Sequence, residues 1–168
     1  MALSKNAIRI VKKLYCHQNE TPKDVFNRVS NTLSLGDEKF EKQLYNAMTK
    51  GYFLPNSPAL KNAGVTNFLH ACFVLGIEDD IENIFDTVRK CGIIFKFGGG
   101  VGINYSKLRP EGDIVSSTKG TASGPVSFMR IIDVVTDVVK QGGKRRGANM
   151  GILEIWHPDI EKFVTAKV

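Results

Sequence analysis

The chain has 168 residues, about one domain's length and enough to bury a core. Its 42% hydrophobic and 24% charged content describes an ordinary globular protein, and no run approaches the roughly 20 apolar residues of a membrane-spanning helix. A net charge of +6 at pH 7 attracts anions in general, without distinguishing a nucleotide from a nucleic acid or an acidic protein.

The opening stretch "MALSKNAIRIVKKLYCHQNE" is interrupted by Arg9, Lys12 and Lys13, so it lacks the continuous apolar centre of a secretory signal, and the expected location is the cytoplasm. Ala7, Ile10, Val11 and Leu14 predict a first helix. Thr21 followed by Pro22 predicts the capped start of a second, continued by Val25, Phe26 and Val29. A third, from about Asp37, places Phe40, Leu44, Tyr45 and Met48 on one stripe and stops at Gly51. "FLPNSPALKNAG" carries two prolines, two asparagines and a glycine and reads as structured loop.

"ACFVLGI" predicts a short buried strand, and Asp80 caps a helix with Ile81, Ile84, Phe85 and Val88 on one face. After the glycines of residues 98–102, "VGINYS" predicts a second strand. "RPEGDIVSSTKGTASG" is long, polar and rich in small residues, the composition of a functional loop. Pro125 to about Lys140 predicts a helix with Phe128, Ile131, Ile132, Val135 and Val139 inward. "ILEIW" predicts a third strand and "HPDIEKFVTAK" a last helix. Alternating strands and helices imply parallel strands with crossover helices. The expected organisation is a helical domain over residues 1–52 and an α/β domain over 53–168.

Three stretches carry candidate chemistry. "GGGVG" bares the main chain, so that a phosphate or sugar could approach backbone N–H groups, but it matches neither the phosphate-loop nor the dinucleotide pattern; the ordinary alternative is a tight helix-to-strand turn. Cys72 in "HACFVL" is by base rate a small buried hydrophobe, while His70, two residues away, would share its strand face and lower its pKa in a cleft. Cys16 and Cys91 read as core residues. Three cysteines without metal-like spacing argue against a zinc site and against a disulfide framework, and fit a reducing compartment. Lys144, Arg145 and Arg146 could bind phosphates or form a solvated turn, and aromatic residues do not interleave with them as in a single-strand nucleic-acid platform.

The order of motifs, "FLPNSPAL", "ACFVL", "GGGVGINYSKLRPEGD", "ASGPVSFMRIID", "VVKQGGKRRGANMGIL" and "HPDIEKF", resembles the N-terminal part of the ribonucleotide reductase large chain, most closely the adenosylcobalamin-dependent class II branch, with the diiron-type class I large subunit as runner-up. The resemblance covers nearly the whole chain. It implies a helical N-terminal domain followed by the first strands and helices of a ten-stranded α/β barrel, incomplete in this chain. It implies a reaction in which a thiyl radical takes the ribose 3′-hydrogen, the 2′-oxygen leaves as water and a cysteine pair supplies the reducing equivalents. By the same resemblance Cys72 matches the first cysteine of that pair. Ser57, Ala71, Cys72 and Gly100 match substrate-lining positions, and Asp79 and Arg109 match the site where a deoxynucleoside triphosphate effector sets substrate choice. The loop from about Ser116 to Ser123 resembles a mobile effector loop.

The family's radical loop, the second cysteine of the pair, the later phosphate loop, the C-terminal shuttle cysteines and the activity-setting ATP cone have no equivalent in these 168 residues. The chain is therefore expected to need a complementary chain carrying the radical cysteine, together with adenosylcobalamin and a thioredoxin-like reductant, and to be inactive alone. No metal ligands, membrane or nucleic-acid partner is expected. The competing reading is a stand-alone nucleotide-binding module that keeps only the effector site, and a basic nucleic-acid-binding domain comes last.

Overall fold

The protein is described here from a computed structural model covering residues 3–141 and 145–167, of which 140, 141, 145 and 146 are described by their backbone. The chain forms two compact units, one ending at Ala71 and one beginning at Cys72.

The first unit is helical: α1 (Lys5–Leu14), α2 (Pro22–Ser34), α3 (Glu38–Thr49) and α4 (Ser57–Asn62). Each start is written locally. Ser4 Oγ accepts from the Ala7 amide, Thr21 and Asp24 form a reciprocal capping box ahead of Pro22, and Asp37 accepts from the Phe40 amide. The stretch expected as loop contains α4, because Asn56 caps it at 2.9 Å from the Ala59 amide and Pro58 falls in the first turn, where no amide partner is needed. Leu60 and Ala63 then join Val25, Phe26, Val29 and Met48 in one core. Burial of these residues carries the helical unit well past residue 52, where the composition changes, to Ala71.

At the centre of this unit Arg28 makes a two-pronged pair with Glu20, Nε to Oε1 at 2.6 Å and Nη2 to Oε2 at 3.1 Å. The same guanidinium donates to the carbonyls of Ala63 at 2.6 Å, Leu60 at 3.3 Å and Tyr15 at 3.4 Å. These carbonyls end α4 and α1, so one side chain satisfies helix C-termini that have lost their intrahelical partners.

The second unit runs β1 (Cys72–Leu75), α5 (Ile81–Lys96), β2 (Gly100–Asn104), β3 (Ile114–Val115), β4 (Gly120–Thr121), α6 (Gly124–Val138), β5 (Lys140–Gln141), β6 (Arg145–Arg146), β7 (Ala148–Ile152) and α7 (Ile160–Thr165). β1, β2 and β7 form a parallel sheet in the order β1-β2-β7. The connections between parallel strands carry α5 and α6, which pack on each other and against the sheet. The segment read as a long loop holds the short β3–β4 hairpin, pairing Ile114 with Thr121 and Val115 with Gly120.

The third strand lies at Ala148–Ile152, not at residues 152–156, and Ile155 and Trp156 are exposed beyond it. Just before it, a side chain at Gly147 would start 2.7 Å from the Phe95 ring, so the chain enters the strand where α5 approaches too closely for a Cβ. In α5 the buried positions are Ile84, Thr87, Cys91, Ile94 and Phe95, while Ile81 and Phe85 of the expected inward face are about half exposed. Burial pushes the Cys91 thiol up to about 11, in keeping with a core residue.

Two of the clustered glycines have packing reasons. Gly98 ends α5 at φ 79°, a left-handed turn that suits glycine. A Cβ on Gly99 would lie 2.6 Å from Ile94 Cγ2 and 3.0 Å from the Phe73 ring. Gly99→Ala is therefore expected to destabilise the second unit by about 1–3 kcal/mol through overpacking, measured by urea unfolding; a parent-like midpoint counts against the packing account.

Candidate functional site

The parallel register sorts the sheet into two faces, since partners across parallel strands share a side. Phe73, Val101 and Asn149 align on one face, as do Leu75, Ile103 and Gly151; Val101 and Ile103 are buried. Cys72, Gly100 and Ala148 align on the other, followed by Val74, Gly102 and Met150. That second face is open. Val74 is 89% exposed, Met150 62%, and Cys72 is itself exposed. The near-continuous apolar run of β1 reads as a strand buried on both sides, but among the described residues helices cover one face.

Cys72 and Gly100 are thus register partners on neighbouring strands, with an accessible thiol beside main chain that carries no side chain. β1 begins at Cys72, and His70, expected on the same strand, lies in the irregular segment before it. Ala71 is half-buried and is the last residue of the first unit. Ser57, also in the first unit, is the first residue of α4; its Oγ is 3.2 Å from the Tyr15 hydroxyl, and both line an apolar cleft of about 640 Å³.

Asp79 and Arg109, thirty residues apart, meet at the other end of β1. Arg109 Nε donates to Asp79 Oδ2 at 2.5 Å, the Arg109 amide to Oδ1 at 3.2 Å, and Nη1 to the Ile114 carbonyl at 3.3 Å. The two side chains are about one-third exposed and line a cleft of about 470 Å³. Ser117, Thr118 and Thr121 of the hairpin region form one wall, and the starts of α5 and α6 form another. α5 is capped by Asp80, which accepts from the amides of Glu82 and Asn83, whereas Ser123 makes no side-chain cap on α6. Gly124 there has φ 74°, and a Cβ on it would lie 2.7 Å from Asp159 Oδ2 and 2.9 Å from the Glu111 amide nitrogen. The cleft combines a guanidinium, two carboxylates, hydroxyls and the N-terminus of α6, which has no side-chain cap, a set of groups suited to a phosphorylated sugar. The stretch from Ser116 to Ser123 falls at this cleft, with Arg109 and Asp79.

Some residues of this region gave little signal in the sequence. His157 and Asp159 are 6% and 7% exposed and bond to the segment that carries Arg109; a His-Pro-Asp triplet closely following a strand was the available hint. Arg28 gave none. Of the basic loop, Lys144 and the side chains of Arg145 and Arg146 lie outside the described residues. No helix among the described residues is long and apolar enough to cross a membrane.

Comparison with known proteins matches residues 1–67 to the all-alpha domain of ribonucleotide reductase and residues 70–168 to its barrel domain. The chain is 62% identical over 116 residues to the vitamin B12-dependent ribonucleoside-diphosphate reductase of Thermoplasma acidophilum, covering 68% of this chain and 15% of that protein. It is 38% identical over 182 residues to the enzyme of the same description from Mycobacterium tuberculosis, covering 99% of this chain and 26% of that one. The fold superposes on the Actinobacillus ureae class Id ribonucleotide reductase alpha subunit with a TM-score of 0.80 at 26% identity, over 96% of this chain and 30% of that structure. The chain thus spans between about one-seventh and about a quarter of the length of these curated relatives. A helical unit joined to an unclosed parallel sheet whose cysteine-bearing face lies open is what the first part of a barrel looks like, and the chain belongs to the ribonucleotide reductase large-chain family.

Proposed function

We propose that this chain contributes one wall of the substrate pocket, one redox cysteine and the effector cleft to the radical-based reduction of ribonucleotides to deoxyribonucleotides. The observation that carries this reading is the exposed Cys72 thiol in register with Gly100 on the open sheet face. A ribose laid on that face meets bare backbone at Gly100 and Gly102 and a thiol at its edge. Ser57 and Ala71, in the first unit, are assigned to the substrate by the family resemblance alone.

In the redox step two thiols are oxidised to a disulfide, releasing two electrons and two protons, and the ribose 2′-hydroxyl departs as water. Cys72 supplies one thiol. Cys91 is sealed in the core and Cys16 packs against the helical core, so the second thiol and the radical cysteine lie outside these 168 residues. Re-reduction by a thioredoxin-like protein requires the access that Cys72 has.

Adenosylcobalamin, implied by the vitamin B12-dependent relatives, supplies the radical when bound. The described residues do not make its site. Every buried side-chain nitrogen and oxygen among them already has a partner, and the buried His157 uses both ring nitrogens. The test is to mix this chain with a candidate chain carrying the radical cysteine, the cofactor and a dithiol, and to assay deoxynucleotide formation; absence of both activity and co-elution defeats the reading.

A second reading, a nucleotide-binding module acting by itself, draws on the Asp79–Arg109 cleft, whose lining belongs wholly to the second unit. Calorimetry of this chain with deoxynucleoside triphosphates separates the two, since tight binding without a partner favours the module. In either case Arg109→Ala is expected to weaken effector binding about 10–100-fold, the value of a charge-assisted hydrogen bond to phosphate; unchanged affinity removes Arg109 from the site.

A further inference from the structure

Arg109 sits in a segment whose two flanks are held by one short stretch that follows the last strand. On one side, the His157 ring Nε2 lies 2.9 Å from the Leu108 carbonyl. A carbonyl only accepts, so Nε2 carries the hydrogen; Nδ1 is then free to accept from the Asp159 amide, at 3.1 Å. On the other side, Asp159 Oδ2 accepts from the Glu111 amide at 2.9 Å, and Lys162 Nζ grips the Glu111 carboxylate at 2.7 Å. His157 and Asp159 are both more than nine-tenths buried, so these bonds are little diluted by water. The Asp159 carboxylate also fills the space beside Gly124 at the start of α6, which forms a wall of the same cleft.

We propose that His157 and Asp159 are positioning residues for the effector cleft, pinning the main chain on both sides of Arg109 so that its guanidinium is presented at a set distance from Asp79 and from the N-terminus of α6. This rests on the reading of that cleft as a nucleotide site. It adds that recognition depends on two residues that line no part of the cleft themselves. Freed from the pins, the Leu108–Glu111 segment samples more positions, and each bound nucleotide must order it again. Because Arg109 would face phosphates, the loss falls on all deoxynucleoside triphosphates alike, whatever the base.

The test uses the 168-residue chain, with calorimetry against the four common deoxynucleoside triphosphates and amide hydrogen exchange without nucleotide. Asp159→Ala and His157→Ala are expected to raise Kd about tenfold at unchanged stoichiometry, and Asp159→Asn, which keeps an acceptor for the Glu111 amide, to stay within about threefold of the parent. Unchanged stoichiometry separates positioning from partial unfolding, which lowers the competent fraction instead. In the alanine variants the Glu111 amide is expected to exchange faster while Val101 and Ile103 exchange as in the parent. If Asp159→Ala does not fold, His157→Asn carries the test: it keeps an acceptor for the Asp159 amide, loses the donor to Leu108, and is expected to raise Kd about threefold. Parent-like affinity in the folded variants, or an undiminished protection of Glu111, overturns the proposal while leaving the cleft a nucleotide site. A parent chain that binds no nucleotide overturns both.

Discussion

Replacing Cys72 by serine is expected to leave this chain folded and to abolish sustained deoxynucleotide formation in the assembled reductase, by roughly a thousandfold or more, the scale seen when a reacting group is removed outright. The side chain stands exposed at the start of β1, so the loss of a sulfur there costs little packing. A hydroxyl cannot form the disulfide that delivers two electrons, and no dithiol in the medium replaces it at the ribose. Thiol labelling gives an independent reading on the same residue. An accessible Cys72 is alkylated readily in the native chain, whereas Cys91, wholly buried and held protonated by that burial, reacts on unfolding. A serine variant that still turns over many substrate molecules would remove Cys72 from the redox pair and with it the main support for the proposed role.

Arg28→Ala is expected to destabilise the helical unit by about 3–5 kcal/mol, the range for removing one partner of a buried pair. The Arg28 and Glu20 side chains are 15% and 17% exposed, and the alanine leaves the carboxylate, which still accepts from the His17 amide, without its countercharge and three helix-terminal carbonyls without their donor. Far-UV circular dichroism in urea measures the effect, and a loss below about 1 kcal/mol, the value of a surface pair, counts against a buried clamp. The same contact sets a pH dependence. The Arg28 hydrogen bond holds the Glu20 carboxyl below its ordinary 4.5 in the folded chain. A carboxyl depressed on folding adds stability above its unfolded pKa and loses it as pH falls through the folded value. The parent is therefore expected to lose stability on acidification below about pH 4.5 more steeply than Glu20→Gln, and parallel profiles would show that the pair contributes nothing.

What could be read along the chain was largely what is local. The capped starts at Thr21 and Asp80, the strand at Cys72 and the helix after the long polar loop all follow from neighbours three or four residues away. Where a contact distant in sequence decides, the expectation shifts. Ser57–Asn62 turns as a helix because Leu60 is wanted in a core built by α2 and α3. Ile81 and Phe85 look inward by periodicity, but the buried face runs through Cys91 and through Thr87, whose hydroxyl donates to the Gly76 carbonyl after β1. β7 lies at "ANMGI", where it pairs with β2, and not at the apolar "ILEIW"; the chain enters it at Gly147, where the Phe95 ring leaves no room for a Cβ.

The candidate residues divide along the same line. The order of the motifs by itself determined the family and named Ser57, Ala71, Cys72, Asp79, Gly100 and Arg109, because such an order reflects shared descent and needs no geometry. Only the tertiary structure decided that Cys72 faces outward beside Gly100, that Asp79 closes on Arg109, and that His157 and Asp159 grip the chain on either side of that arginine. Strand register and the pairing of side chains thirty to fifty residues apart depend on which surfaces exclude water together, and that is a property of the folded packing, absent from any short stretch of chain.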